Sequence, residues 1–399
     1  MSEPDGLKLL AGLRIVAFTQ FLLGPAACQY LADMGADVIK IEPPGRGAWE
    51  RSWSGADTFI GGVSAFFMLA NRNLRSVTLN LKSQQGVDVA RKLVATADVI
   101  VENYRPGVMD RLGLGYEAAL KINPRVVYAS GSGYGSDGPY RHLPGQDLLI
   151  QAISGLGANT GTESQGPTVS AAAVVDQHSA SLLAMGILGA LVHRGRTGEG
   201  QKVELVMMQA ALDLQTEPVV YHLNGAKLER PKTPVADTFH AVPYGFYGTS
   251  DGHLAISLTP ITAISEVLGN PADLSPYLDP AVAYTKRDEI RALLDPYFRA
   301  KTTAEWVDAL RAHDIWCAPV NNMTETFKDA AVKHIAPVLE FDHPRAGRVR
   351  VLKHPVRYSS GEATLRRPPP DLGEHTDEVL GELGYTRADI EAMRASKVI

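Results

Sequence analysis

Short apolar, β-branched runs alternate with longer stretches in which apolar residues recur every three or four positions, and this alternation fills the first 135 residues. Leu13 to Phe18 reads as a buried strand, because a strand covered on both faces shows a continuous apolar run. A helical pattern follows from Pro25 to Met34, with proline near its start, where the missing N–H is not needed. Asp37 to Ile41 reads as the next strand, completing a βαβ unit. Further strands are expected at Ser76 to Leu81, Asp98 to Glu102 and Arg125 to Ala129, with helices at Ser83 to Ala95 and Tyr116 to Ile122. This order predicts an α/β fold with a mainly parallel sheet covered by helices.

Beyond this region the pattern continues with a helix from Leu148 to Ser154, a longer one from Ser179 to His193, a strand from Gln201 to Leu205 and a helical run from Met207 to Leu223. Composition changes near residue 225. Gly245 to Tyr247 and Leu254 to Leu258, separated by Asp251-Gly252, read as a hairpin, and helices are expected at Arg287 to Phe298 and Thr303 to His313. The chain is therefore divided into a large domain over 1–224, a smaller α+β domain over 225–330 and a Pro- and Arg-rich segment over 331–399. That last segment should hold a strand at Arg348 to Leu352, an extended connector at Arg366 to Pro370 and a short final helix.

At 399 residues, 45% hydrophobic and 21% charged, the composition is that of a globular protein of more than one domain. A formal charge of −5 makes no electrostatic case for nucleic acid or an anionic membrane surface. Two cysteines support neither a disulfide framework nor a zinc site. A cytoplasmic location is expected, since the N-terminus shows no charged-then-apolar signal pattern. NAD is not expected: the turn Thr19 to Pro25 carries one glycine where the dinucleotide fingerprint needs three, although Glu42 stands where a ribose-binding acid would. No H-E-x-x-H pattern indicates a metal, and Gly131-Ser132-Gly133 does not supply a hydrolase's G-x-S-x-G.

Asp176 stands where the run Thr168 to Val175, small and β-branched, gives way to the apolar helix. A carboxylate there would meet unpaired N–H groups and the positive end of the helix dipole, and should stay ionised and point one way. The residues leave two roles open, nucleophile or ordinary cap. Lys40, Arg46, Arg51, Arg72, Arg75, Lys82, Arg105 and Arg111 fall at strand or helix ends of the first domain, where such sheets bind ligands and where guanidinium suits phosphate; solvated surface charge is the other reading. In Asn103-Tyr104-Arg105-Pro106-Gly107, an aromatic beside arginine could stack on a base while the cation meets phosphate. Gln146-Asp147 precedes the Leu148 helix, where Asp147 reads as a cap and contact with a ligand is the alternative.

Six ordered stretches carry a resemblance: GPAACQYLADMGADVIKIEPPG (24–45), NRNLRSVTLNLKSQQG (71–86), DVIVENYRPGVMDRLGLGYE (98–117), NPRVVYASGSGYGSDGPY (123–140), TGEGQKVELVMMQAALDL (197–214) and GEHTDEVLGELG (373–384). With these the chain resembles the class III CoA-transferases. The resemblance implies a Rossmann-like large domain built from both ends of the chain, a smaller inserted domain and an interlocked homodimer. It implies that Asp176 is the nucleophile carrying CoA as an aspartyl thioester, with Gln146 also in the catalytic site, without ATP or metal. Lys40, Arg72, Arg75, Asn103, Tyr104, Arg105, Arg111 and Asp147 become candidate contacts to coenzyme A, a substrate here, with an acyl-CoA donor and a carboxylic acid acceptor as partners. Leu22 and Pro43 depart from the family's residues at those positions. The related α-methylacyl-CoA racemases use a Gly-His-Asp sequence where this chain has Gly145-Gln146-Asp147, and glutamine cannot act as an acid or base. A racemase or isomerase of the same fold, or intramolecular CoA transfer, is the alternative. His240, Tyr244 and Tyr247 are candidates for lining the acceptor pocket.

Overall fold

The computed structural model describes residues 6–399. The chain forms two compact units, the larger built from residues up to Ile150, Ala173–Leu214 and Pro337–Ile399, the smaller from Gln151–Ala172 and Gln215–Ala336. This differs from the expected division: the boundaries expected at 224/225 and 330/331 are displaced, and residues 151–172 leave the large unit. They are held in the smaller one by Glu163 N–H to Pro231 O (2.8 Å) and by the Arg230 guanidinium on Ala158 O. The remaining boundaries fall at 214/215 and 336/337. The expected helix from 207 to 223 breaks at the first of these into Met207–Leu214 and Thr216–Leu223.

In the larger unit, β1 (Arg14–Phe18), α1 (Leu23–Asp33), β2 (Asp37–Glu42), β3 (Leu74–Thr78), α2 (Gln84–Thr96), β4 (Val99–Glu102), α3 (Tyr116–Ile122), β5 (Val127–Ser132), α4 (Asp147–Ile153), α5 (Val174–Thr197) and β6 (Gln201–Val206) follow one another, with shorter elements between. All six strands pair in parallel in the order β3-β2-β1-β4-β5-β6. Parallel pairing requires a crossover between strands, which α1, α2, α3 and α5 supply. β3 ends earlier than its apolar run suggested, because Asn80 N–H turns away to Val398 O. The main core joins Val16, Ile39 and Ile100 of the sheet to Val89 and Leu93 of α2 and to Val379 and Ile390 of the C-terminal helices. Those helices are two, Thr376–Glu382 and Arg387–Ala395, not one.

The C-terminal segment returns to the large unit through Asn73, whose Oδ1 accepts from Arg366 and Arg367 N–H. The strand expected near 348–352 spans Gly347–Leu352 and pairs with Val338–His343. In the smaller unit the hairpin Gly245–Gly248 and His253–Ile256 gains a third strand, Cys317–Pro319. Tyr247, Leu254, Phe298 and Trp306 lie in its core.

Candidate active site

Strand order reverses between β1 and β4, and the C-terminal ends of the strands at such a switch point are the usual ligand position in these sheets. The two loops there are latched: Asn103 accepts from Gln20 N–H (2.9 Å) and donates to Gln20 O (2.8 Å). Gly24 makes room for this latch, since a Cβ there would stand 3.0 Å from Asn103 Cγ and 2.8 Å from Thr19. Phe21 takes the left-handed conformation (φ 61°) that a glycine would suit, and its N–H is held by Glu50 Oε2 at 3.0 Å.

α5 begins at Val174, so Asp176 lies inside the first helical turn and not ahead of it. Ala173, at the cap position, has no side chain able to accept. The free N–H groups of Val175 and Asp176 instead donate to Asp147 Oδ1, at 2.8 and 3.1 Å. Asp147 is thus a cap, as its residue type suggested, and the helix it caps here is a distant one. Its placement depends on a backbone contact: a Cβ on Gly133 would lie 2.4 Å from Gly145 Cα, and one on Gly145 would lie 2.2 Å from Gly133 Cα. Both positions therefore require glycine, and the contact fixes the loop leading from β5 to Gln146 and Asp147. Gln146 itself is exposed, and its carbonyl accepts from Ile150 N–H.

The Asp176 carboxylate is half-buried and makes no hydrogen bond or ion pair among the described residues. Burial first, and the Asp147 charge second, push its pKa up to about 7. This corrects the expectation that a helix start would keep it ionised: Asp147 occupies the donors that would have stabilised the charge. Glu102, at the end of β4, is likewise pushed up to about 7, mainly by burial and then by Asp110 and Glu204, against the lowering effects of the Tyr104 N–H and Lys202. Nothing in the sequence pattern had singled out Glu102. A carboxyl half protonated near neutrality repels a nearby anion less than a full charge would.

Among the expected CoA contacts, three cations are consumed internally. Lys40 Nζ is fully buried against Glu50 Oε1 (2.6 Å) and Asn71 Oδ1 (3.0 Å). Arg72 grips Asp33 through two bonds of 3.0 and 2.5 Å and caps Leu352 O. Arg75 binds Asp37, Glu378 and Glu382, tying β3 to the C-terminal helices. Each of these three side chains is thus an ion-pair partner inside the chain, tying segments of the larger unit together. Glu42 is spoken for as well, holding Arg51, Ser76 and Ala48 N–H. Arg105 and Arg111 are different: both are exposed, and neither side chain has an ion-pair or hydrogen-bond partner among the described residues. Tyr104 packs on the core beside them.

In the smaller unit, Tyr244 lines a cavity of about 850 Å³ with Asp237, Arg299 and Trp316. His240 is held by Asp237 (2.7 Å) and stacks on Tyr244, while Tyr247 is fully buried in the core and does not line the cavity. Among the described residues no group of three or more His, Cys, Asp or Glu is arranged to hold a metal.

The family model for CoA-transferase family III matches residues 10–376. A succinyl-CoA:glutarate CoA-transferase from Mus musculus is 34% identical over 100% of this chain and 92% of its own length. A formyl-CoA:oxalate CoA-transferase from Rhodopseudomonas palustris (strain TIE-1) is 32% identical over 98% of this chain and 97% of its own. Among solved structures, an aspartate-to-alanine mutant of Rv3272 from Mycobacterium tuberculosis superposes with a TM-score of 0.82 at 30% identity, covering 94% of this chain and 99% of that one. A CAIB/BAIF family protein from Brucella suis gives 0.79 over 94% of this chain and 99% of its own, again at 30% identity. With the parallel sheet, its switch point and a match over nearly its whole length, this chain belongs to CoA-transferase family III.

Proposed function

We propose that the protein moves CoA from an acyl-CoA thioester to a free carboxylic acid through an aspartyl-CoA thioester on Asp176. The observation that carries this is the Asp176 carboxylate itself, half-buried and without hydrogen bond or ion pair among the described residues. A carboxylate stripped of partners and raised in basicity is a better nucleophile than one held by cations. Its oxygen attacks the donor carbonyl, and collapse of the tetrahedral adduct expels CoA thiolate and leaves a mixed anhydride. The thiolate then attacks the aspartyl carbonyl, releasing the donor acid and forming the aspartyl thioester. The acceptor carboxylate attacks that thioester, the thiolate leaves and returns to the acceptor carbonyl, and Asp176 is regenerated. Each step exchanges one activated acyl bond for another, so no ATP is consumed. Orientation of carboxylate and thioester is the main demand on the protein.

In this reading Arg105, Arg111, Asn103 and Tyr104 face the CoA moiety, and Gln146, exposed before α4, lies close to the reacting groups. The acceptor is a small dicarboxylic acid, by analogy with the relatives whose names include oxalate and glutarate. The reading includes an interlocked homodimer in the cytoplasm with no resident metal or NAD. Exposed apolar side chains on α5, Met185 at 63% and Val192 at 57%, favour a second copy covering that helix. The test is to incubate the protein with an acyl-CoA donor alone and digest it: a CoA adduct on the Asp176 peptide, cleaved by hydroxylamine, supports the mechanism. Full exchange without any such adduct would sink it.

A further inference from the structure

We propose that a cavity opening beside the Asp176 turn holds the body of the acceptor acid, and that Arg350 and Lys353 at its rim bind the distal carboxylate of a dicarboxylic acceptor. The proposal rests on the transferase reading above. An acceptor that attacks the Asp176 thioester must bring one carboxylate to that residue, so its remaining atoms need a path that begins next to it. Gln177, the next residue of α5, lines a cavity of about 520 Å³ within the larger unit. This size is within the range of small-molecule sites. Tyr30 Oη donates to Gln177 Oε1 (3.3 Å), tying α1 to the first turn of α5.

The walls are mainly apolar, with Ala26, Ile60, Met68, Leu69 and Val351 among them, and such a lining suits methylenes. Arg72 also lines the cavity, but its guanidinium is engaged by Asp33 and Leu352 O and offers no free charge. Arg350 and Lys353 supply the charge. Both line the cavity, both are exposed, and neither pairs with a carboxylate among the described residues. Glu340 stands opposite Arg350 in the hairpin but pairs with Arg348 at 2.6 Å, and Asp342 lies 3.8 Å from the same Arg348. An apolar slot with an unmatched cationic rim selects an acid with a short methylene chain and a second carboxylate over its monocarboxylic counterpart.

The experiment compares glutarate with pentanoate as acceptors, using succinyl-CoA as donor and the full chain. For the wild-type protein kcat/KM should favour glutarate by about 10-fold or more, the size of one charge-assisted contact. In the Arg350→Ala/Lys353→Ala double variant the KM for glutarate should rise about 10- to 100-fold, with kcat at saturation and the pentanoate reaction retained. Arg350→Lys should keep the glutarate preference, which a purely structural role for the hairpin would not require. A double variant with the wild-type ratio, or a wild-type protein indifferent to the second carboxylate, would overturn the proposal and leave the transferase reading standing. Absence of exchange with every acid tried would overturn the transferase reading, and this proposal with it.

Discussion

On one side of the parallel sheet, around β2 and β3, every buried charge has its opposite: Lys40 with Glu50, Arg72 with Asp33, Arg51 with Glu42, Arg75 with Asp37 and Glu382. Past β4 pairs such as Arg194 with Asp98 and Lys202 with Glu204 persist, but some charges are left without an opposite. Arg105 and Arg111 stand exposed without partners, Glu102 is buried with its pKa pushed up to about 7, and Asp176 carries a carboxylate that no cation meets. The residue types are the same in both regions, so composition does not distinguish them. What differs is compensation. A matched buried pair holds two segments together, whereas an unmatched group keeps its charge for something that is not part of the chain.

The sharpest way to break this contrast is to remove the unmatched carboxylate. Asp176→Ala should lower CoA exchange by at least about 10³-fold, the scale seen when a nucleophile is removed. CoA affinity, measured by calorimetry, should stay within about threefold, since Arg105 and Arg111, the proposed CoA contacts, are untouched. Exchange surviving in this variant would place the nucleophile elsewhere.

The matched side should respond in stability and not in turnover. Lys40→Ala strands Glu50 in a site with no exposure, and breaking such a pair costs about 3–5 kcal/mol. Urea unfolding should show that loss, with the CoA KM of the protein that remains folded unchanged. A large KM effect with little loss of stability would return Lys40 to the ligand contacts. Conversely, Arg105→Ala/Arg111→Ala should leave the unfolding midpoint in place and raise the KM for CoA by about 10-fold or more, an effect that shrinks as salt is added.

The contrast explains which features were legible in the sequence. The parallel sheet and its helices could be read because β1, β2 and β4 centre on β-branched runs such as Val99-Ile100-Val101, and Tyr116–Ile122 is placed to the residue. The long apolar helix after Asp176 drew attention to that carboxylate, but the residues alone left cap and nucleophile open and only the resemblance chose between them. Burial of Lys40 could not be read, because its partner Glu50 comes from a single 3₁₀ turn, Trp49–Arg51, too short for any periodicity to encode. The same holds for Asp147: its side chain reads as a cap, but the helix it caps begins 27 residues later, brought there by the contact between Gly133 and Gly145. Residues 151–172 lack a strong pattern and pass into the smaller unit. The strand Cys317–Pro319 is too short at three residues to show alternation.

The smallest expected effect tests how the unmatched carboxylate is tuned. Because the folded-state pKa of Asp176 lies above its ordinary value of 3.8, the residue is protonated below about 7 and nucleophilic above it. Exchange should therefore rise with pH through about 7 and level off. The same shift makes the folded chain hold this proton longer than the unfolded chain does. Its contribution to stability is thus greatest below about pH 4 and is lost as the pH climbs to about 7. Asp147→Asn keeps an oxygen that can accept from Val175 and Asp176 N–H and removes the negative charge. The start of α5 should survive, and the pH midpoint of exchange should fall by about one unit or less. It should not reach the ordinary carboxylate range, since burial is the larger cause and remains. Asp147→Ala would lose the cap too, at a cost of about 1 kcal/mol. The two variants together therefore separate the charge of Asp147 from its hydrogen bonds. A midpoint unmoved in Asp147→Asn would mean that burial alone sets the basicity of Asp176, and that Asp147 serves only to begin the helix.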